Sequence, residues 1–296
     1  MNILVIGGLT IDLVGGSVKR IGGPAYYITA TLIQLDEAPV VITNSCKLLE
    51  VLRYPYMHER VFAPRDDGVF VFEIRENSGF RELRLVRRGP SINYLIEELI
   101  SAWVRNDTRF DTAIVSPVFN EVTPEIVRRL NSIADRVIID IQGFVRRCGG
   151  RYCTVVTDEE QFYELLEALD SSVNVVRGEI HEFPRKCRGS KVSECVNGVF
   201  DVIQTCGPGS MYVYLGESGK TFVLNPLPGI NGSSIGAGDI FTSVLTYFLS
   251  RGLDLLSSCA RASVAAGLKV SRPGKPWFTL PELELLSHKI LRNIRS

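Results

Sequence analysis

No stretch of the 296-residue chain reaches the ~18 consecutive apolar residues that a membrane span requires. Neither sign of charge is in surplus: Lys and Arg number 33, Asp and Glu 33, and the formal net charge is zero. That balance leaves no electrostatic footprint for nucleic acid or an acidic membrane. Histidine is scarce, and His58, His181 and His288 are too dispersed in sequence to share a metal. The seven cysteines are odd in number and scattered, and neither Cys148 with Cys153 nor Cys187 with Cys195 has the two-residue spacing of a zinc knuckle. The opening MNILVIGG has no basic leader and no small-residue cleavage site, so a cytoplasmic protein is expected. Gly7 and Gly8 lack G-x-G-x-x-G spacing, which weakens a dinucleotide-dependent oxidoreductase. GESGKT at 216–221 lacks the first glycine of a P-loop, because Tyr214 stands there; between MYVYL and TFVLN it reads as a hairpin turn.

What remains is an ordinary globular chain, 45% apolar and 22% charged, with a small molecule as the expected partner. Its length suits one main α/β domain over residues 1–296. Most cysteines are expected as buried thiols. Arginines outnumber lysines about three to one, a weak thermophile sign, and intracellular disulfides do occur in hyperthermophiles, so the two local cysteine pairs are candidates for bonding.

Residues 2–7 form a continuous apolar run bounded by glycines, as in a strand buried on both faces of a parallel sheet. Similar runs recur at 40–43, 113–116, 137–141, 174–176 and 202–205, with helical patterns between several of them, beginning with 24–35. The alternation predicts a three-layer α/β sandwich with a mainly parallel central sheet. TPEIVRRLNSIADR opens a helix plainly, with Thr123 as cap, Pro124 at the first position and Glu125 in the first turn. Residues 68–87 break the pattern by alternating apolar and polar around ENSG, as a half-exposed antiparallel hairpin does. With a further strand between the glycines near 14–21 it would make a small β-sheet lid, from about 13–22 and 66–88; the other reading is an edge hairpin of the main sheet. Trp103 and Trp277 read as packing aromatics.

The stretch NGSSIGAGDIFTSVLTYFLSRG at 231–252 carries the chemistry. Ile240, Phe241, Val244, Leu245, Phe248 and Leu249 lay one apolar stripe along a helix ending near Gly252. Gly236, Ala237 and Gly238 then fall in its first turn, where the lack of bulk lets a ligand approach backbone N–H groups at the positive end of the helix dipole. Asp239 would repel a permanently bound anion, so it is expected as a base that takes a hydroxyl proton while a phosphoryl group arrives. The plain alternative is close helix packing by Gly-Ala-Gly with Asp239 as a cap.

GAGD late in a chain of this length resembles the signature of the ribokinase-like (PfkB) carbohydrate kinases. Gly22 and Gly23, opening a helix about ten residues after Asp12, fall where that family has its N-terminal signature. TCGPGS at 205–210, SPVFNEVTPE at 116–125 and AAGLKVSRPG at 265–274 extend the likeness over nearly the whole chain. GGPAYYITA, DIQGFVR and GAGDIF look most similar to the archaeal myo-inositol kinases.

The resemblance implies ATP-dependent phosphorylation of a hydroxyl on a small sugar or polyol, myo-inositol among the candidates, with a nucleoside kinase or a non-catalytic nucleotide- or polyol-binding protein as alternatives. It implies Asp239 as catalytic base beside the amides of Gly236, Ala237 and Gly238, and Asp12, Gly22 and Gly23 at the acceptor. Thr205, Gly207, Ser263 and Gly267 would border the nucleotide, and Glu182 would organise Mg²⁺ through water. Arg146 could reach phosphate, or lie on the surface. A homodimer through the lid is a further implication. Three departures bear on acceptor and metal: Ser233 with Ser234 for Asp-Thr, Tyr27 for asparagine, and Glu179 for the asparagine of Asn-x-x-Glu.

Overall fold

A computed structural model describes residues 1–16, 18–64, 68–77, 80–150, 153–169, 173–196, 198, 200–272 and 274–295. In chain order the strands are β1 (Ile3–Gly7), β2 (Thr10–Val14), β3 (Val18–Gly22), β4 (Val40–Ile42), β5 (Val61–Phe62), β6 (Phe70–Asn77), β7 (Phe80–Arg87) and β8 (Thr112–Ser116). There follow β9 (Val137–Asp140), β10 (Arg146–Gly149), β11 (Thr154–Thr157), β12 (Val175–Glu179), β13 (Asp201–Thr205), β14 (Met211–Leu215) and β15 (Lys220–Leu224). The helices are α1 (Pro24–Gln34), α2 (Lys47–Leu52), α3 (Asn93–Arg105), α4 (Pro124–Arg129), α5 (Glu159–Ala168), α6 (Ala237–Leu249), α7 (Leu255–Ser271) and α8 (Leu280–Leu291).

Nine strands form the main sheet in the order β15-β14-β13-β12-β9-β8-β1-β4-β5, parallel except for the antiparallel β13-β14-β15 edge. Each buried strand feeds two cores because side chains alternate. Ile3 and Val5 join Ile28 of α1, Val244 of α6, Ala262 of α7 and Leu283 of α8. Leu4 and Ile6 join Ile96 of α3, Ile126 of α4 and Phe162 of α5. This is the expected three-layer α/β sandwich. The parallel strands bring their carboxyl ends, at Gly7, Ser116, Asp140, Glu179 and Thr205, to one edge of the sheet. In open α/β sheets ligands bind along that edge.

A second sheet runs β10-β11-β7-β6-β2-β3, so the 68–87 hairpin belongs to it and not to the edge of the main sheet. It starts at Thr10, which places Asp12 within it, and it includes the β10–β11 hairpin, which the sequence reading did not anticipate. Residues 65–67 and the 78–79 turn of ENSG lie outside the described residues. Phe70 and Phe72 pack on Val118 and Phe119, tying this sheet to the loop after β8. GESGKT is the β14–β15 turn, as expected.

Thr123 is the N-cap of α4, but its side chain makes no capping bond; its backbone N–H instead donates to Asn93 Oδ1 at 3.1 Å. Cysteine usage also differs from expectation. Cys148–Cys153 and Cys187–Cys195 are disulfides, Cys46 and Cys206 are exposed, and Cys259 alone of these three thiols is buried. The two bonded pairs are the two local pairs picked out by their sequence proximity. Trp103 packs on Phe62 and Phe110, and Trp277 on Tyr27.

Candidate active site

The turn into α6 is built around Gly236, the N-cap, with φ 78° and ψ 0°. That backbone favours glycine, and a Cβ there would also sit 2.5 Å from a Tyr27 ring carbon. A Cβ on Gly238 would approach Arg177 Nη1 to 2.8 Å. Bare backbone is therefore required on both sides of the turn. Ala237 N–H donates to Ser234 O at 3.0 Å and so is spent inside the turn. Among the described residues the N–H groups of Gly236 and Gly238 have no protein acceptor, as befits the first turn of a helix. The cradle thus narrows from three amides to two.

Asp239 follows, only 8% exposed. Burial pushes its carboxyl up to about 7 and the charge of Asp140 adds to this, against the pull of Arg177, Arg146 and Lys269. An acid at that value can take a proton near neutrality, which an exposed aspartate does poorly.

Beneath the turn lies a buried ion pair. Arg177 in β12 stands directly across from Asp140 in β9, and Nη1 donates to Asp140 Oδ2 at 2.6 Å. Nη2 donates to Thr205 Oγ1 at 2.8 Å, and the guanidinium lies 5.7 Å from the centre of the Phe241 ring. Nε is buried with no partner among the described residues. Burial works against the arginine's charge, but Asp140, Glu179 and Glu182 outweigh it and hold the group firmly protonated. The Thr242 hydroxyl lies 3.2 Å from Gly238 O and 3.5 Å from Asp140 Oδ2, linking the turn to the pair.

Glu182 ends the short turn after β12, and its Oε2 accepts the Glu179 N–H at 2.8 Å. Its Oε1 lies 3.9 Å from Arg146 Nη2. Burial, then Asp140, raises its carboxyl well above the usual range. Arg146 is half-buried and also bonds Val118 O and Gln142 Oε1, so it is a wall of the site more than a surface residue. No group of three or more His, Cys, Asp or Glu among the described residues is arranged to cage a metal. One buried carboxylate suits Mg²⁺ bound in the other mode, through water and the phosphates of a substrate.

On the other side of the turn, Asp12 is 5% exposed and accepts from Thr10 Oγ1 at 2.8 Å. Gly22 faces both across the β2–β3 ladder, where any side chain would run into Thr10 Oγ1 and the Asp12 carboxylate. Gly23, at φ 87°, caps α1, and its carbonyl accepts the N–H of Tyr26 and Tyr27. The Tyr27 hydroxyl is driven up by burial and then by Asp12 and Asp239, so this one phenol senses both carboxylates. Gly236 thus packs against the Tyr27 ring, whose hydroxyl both Asp12 and Asp239 push up.

Thr205, at the end of β13, accepts from Arg177. Gly207 (φ 50°) sits in the exposed loop beyond. Ser263 and Gly267 lie on α7, and Gly267 packs under Ile230, where a Cβ would come within 2.5 Å of its Cδ1. Two turns below Ser263, Lys269 reaches back to the Ser233–Ile235 segment. Arg177, Asp140 and Lys269 were not singled out from sequence. For Arg177 there was a signal, a lone charge inside the doubly buried run NVVRG.

Residues 149–276 match the pfkB family carbohydrate kinase. An inositol 3-kinase of Arabidopsis thaliana is 24% identical over 306 residues, covering 98% of this chain and 80% of its own. Among solved structures, a pyrophosphate-dependent myo-inositol-1 kinase converted by mutation into a myo-inositol-3 kinase superposes with a TM-score of 0.67 at 16% identity, over 97% of this chain and 99% of that one. The nucleoside kinase of Burkholderia thailandensis in complex with inosine gives 0.71 at 14% identity, over 98% of each. The family match and the inositol 3-kinase relative support a phosphotransferase that acts on a hydroxyl acceptor. The resemblance to the ribokinase-like PfkB carbohydrate kinases, with inositol kinases among the relatives, holds.

Proposed function

We propose that the chain transfers the terminal phosphoryl group of ATP to a hydroxyl of a small sugar or polyol, with myo-inositol the leading acceptor. The single observation carrying this is the buried Asp239 beside two unspent helix N-terminal amides. The inositol 3-kinase relative supports the acceptor, since it aligns with 98% of this chain. Asp12 orients the acceptor by accepting from its hydroxyls, and Gly22 and Gly23 let it lie against the main chain. Asp239 takes the hydroxyl proton as the oxygen forms its bond to phosphorus. The bond from phosphorus to the bridging oxygen breaks, and ADP leaves with that electron pair. The amides of Gly236 and Gly238 face the charge on the transferring group.

Thr205, Gly207, Ser263 and Gly267 border the nucleotide. Glu182 would hold Mg²⁺ through water beside the donor's phosphates, and the ion would neutralise phosphate charge there. Residues 10–22 and 70–87 of the second sheet serve as the lid, and Val18, Val86 and Val156, exposed on three of its strands, suit a homodimer through that sheet. The setting is cytoplasmic.

A nucleoside acceptor is the second reading, favoured by the 0.71 superposition on a nucleoside kinase. One competition assay separates them. Myo-inositol, ribose, fructose, cytidine and inosine are mixed with the enzyme, magnesium and either ATP or pyrophosphate, and products are resolved by phosphorus NMR. A polyol phosphate as main product is expected. Nucleotide formation alone favours the second reading, and ligand-induced stabilisation without any product leaves a binding protein.

A further inference from the structure

Arg188 is bound to the turn that carries Glu182, and its guanidinium spans that residue. Nη2 donates to His181 O at 3.0 Å and Nε to Phe183 O at 2.8 Å. The carbonyls just before and just after the buried glutamate are therefore held by one planar fork, a geometry that a point charge such as an ammonium does not reproduce. The backbone of Arg188 is fixed in its turn. Buried Gln204 of β13 grips it on both sides, donating Nε2 to Cys187 O at 2.6 Å and accepting the Gly189 N–H on Oε1 at 2.7 Å. Cys187 is also bonded to Cys195, which closes the excursion that follows Arg188. Gln204 stands opposite Gly178 in the β12–β13 ladder, level with the start of the Glu182 turn. The anchor is thus the main sheet itself. At the other end of the turn Glu182 Oε2 is engaged by the Glu179 N–H, while Oε1 lies 3.9 Å from Arg146 Nη2, beyond direct hydrogen-bond distance.

We propose that Arg188 is a positioning residue for Glu182: its fork fixes the two carbonyls that flank the glutamate, so that Oε2 stays on the Glu179 amide and Oε1 is kept free for a magnesium-bound water. Outer-shell partners of this kind are worth about 10–100-fold in metal affinity or activity, because they hold the group that meets the ion in one orientation. Arg188 itself bonds the main chain of the turn, so its loss should show in the magnesium dependence and in kcat, not in acceptor binding. This role rests on the proposed reading of Glu182 as the residue that holds Mg²⁺ through water; the clamp on the turn does not.

The test uses the full-length protein with Arg188→Met, Arg188→Lys, Glu182→Gln and the double variant of Arg188→Met with Glu182→Gln, assayed with ATP and the acceptor selected by the competition assay while magnesium is titrated. R188M should raise the half-saturating Mg²⁺ concentration and lower kcat, each by about tenfold, with the acceptor KM unchanged. R188K should stay near R188M, since an ammonium does not hold both carbonyls in the fork's geometry. In the double variant R188M should add nothing to the loss from E182Q, because both act through one side chain. Two readouts need no turnover. The rise in Tm produced by ADP with Mg²⁺ over ADP alone should shrink in R188M, and the Glu179 amide should lose hydrogen-exchange protection. Wild-type magnesium dependence in R188M or R188K overturns the proposal, as do losses that add in the double variant. If R188M does not fold, R188K decides by the same magnesium titration. If wild type phosphorylates no acceptor, the proposed function fails on its own, and the Glu179 amide decides: protection lost in R188M supports the clamp, and protection unchanged overturns it.

Discussion

Replacing Asp239 by asparagine should stabilise the fold while nearly abolishing turnover. The carboxyl rises from its ordinary 3.8 to about 7 because burial and Asp140 oppose its charge. At ~1.4 kcal/mol per pH unit, keeping it ionised above pH 7 costs the folded state about 4 kcal/mol. The sign follows from proton uptake: between 3.8 and 7 the native state binds more protons than the unfolded chain, so stability falls as pH rises through that window. Asparagine removes the cost but leaves a buried amide to satisfy, offsetting about 1–3 kcal/mol. The net gain is about 1–3 kcal/mol at pH 8, a few degrees in Tm for a chain of this size, and it turns into a loss of about 1–3 kcal/mol near pH 4, where the ionisation cost is gone and the amide's remains. Urea unfolding at pH 4, 6 and 8 measures it, with equal m-values as the control. Loss of the base should lower kcat by about 10²–10⁴. An Asp239→Asn protein that is less stable than wild type at pH 8, or that turns over at the wild-type rate, refutes the reasoning.

Three further perturbations probe the surroundings. Arg177→Met leaves Asp140 buried without its partner and should cost about 3–5 kcal/mol, partly recovered in the double variant with Asp140→Asn; a stability unchanged by the single substitution contradicts the buried pair. The same substitution removes a positive charge that lowers the Asp239 carboxyl, so the acidic limb of activity should move to higher pH. Gly236→Ala forces a methyl into a left-handed backbone and against the Tyr27 ring, and should lose about 1–3 kcal/mol of stability together with kcat, read by thermal melts and initial rates.

The sandwich was legible because residues 2–7, 113–116 and 137–141 are apolar on both faces, a pattern that only a strand with cover on two sides satisfies. The GAGD turn was legible because small residues ahead of an amphipathic helix have few other uses. Pairing over distance was not legible. Arg177 and Asp140 are 37 residues apart and Lys269 and Ser233 are 36 apart, and no local pattern encodes either contact. Tyr27 illustrates the limit well. It reads as a departure from the family motif, yet in the fold its ring fills the space that forces Gly236 to be glycine, and its hydroxyl senses both Asp12 and Asp239. The β10–β11 hairpin escaped because RRCGG and TVVT are too short for periodicity to show, and their pairing depends on the second sheet already being there.

The pH dependence of kcat/KM for wild type, taken from pH 5 to 9 at saturating magnesium, addresses the reacting group itself. Rates should climb tenfold per pH unit up to a bend near 7, the point where the buried carboxyl of Asp239 gives up its proton in the unliganded enzyme. A profile flat across that range, or one bending near 4, means that Asp239 is not the group whose ionisation gates transfer.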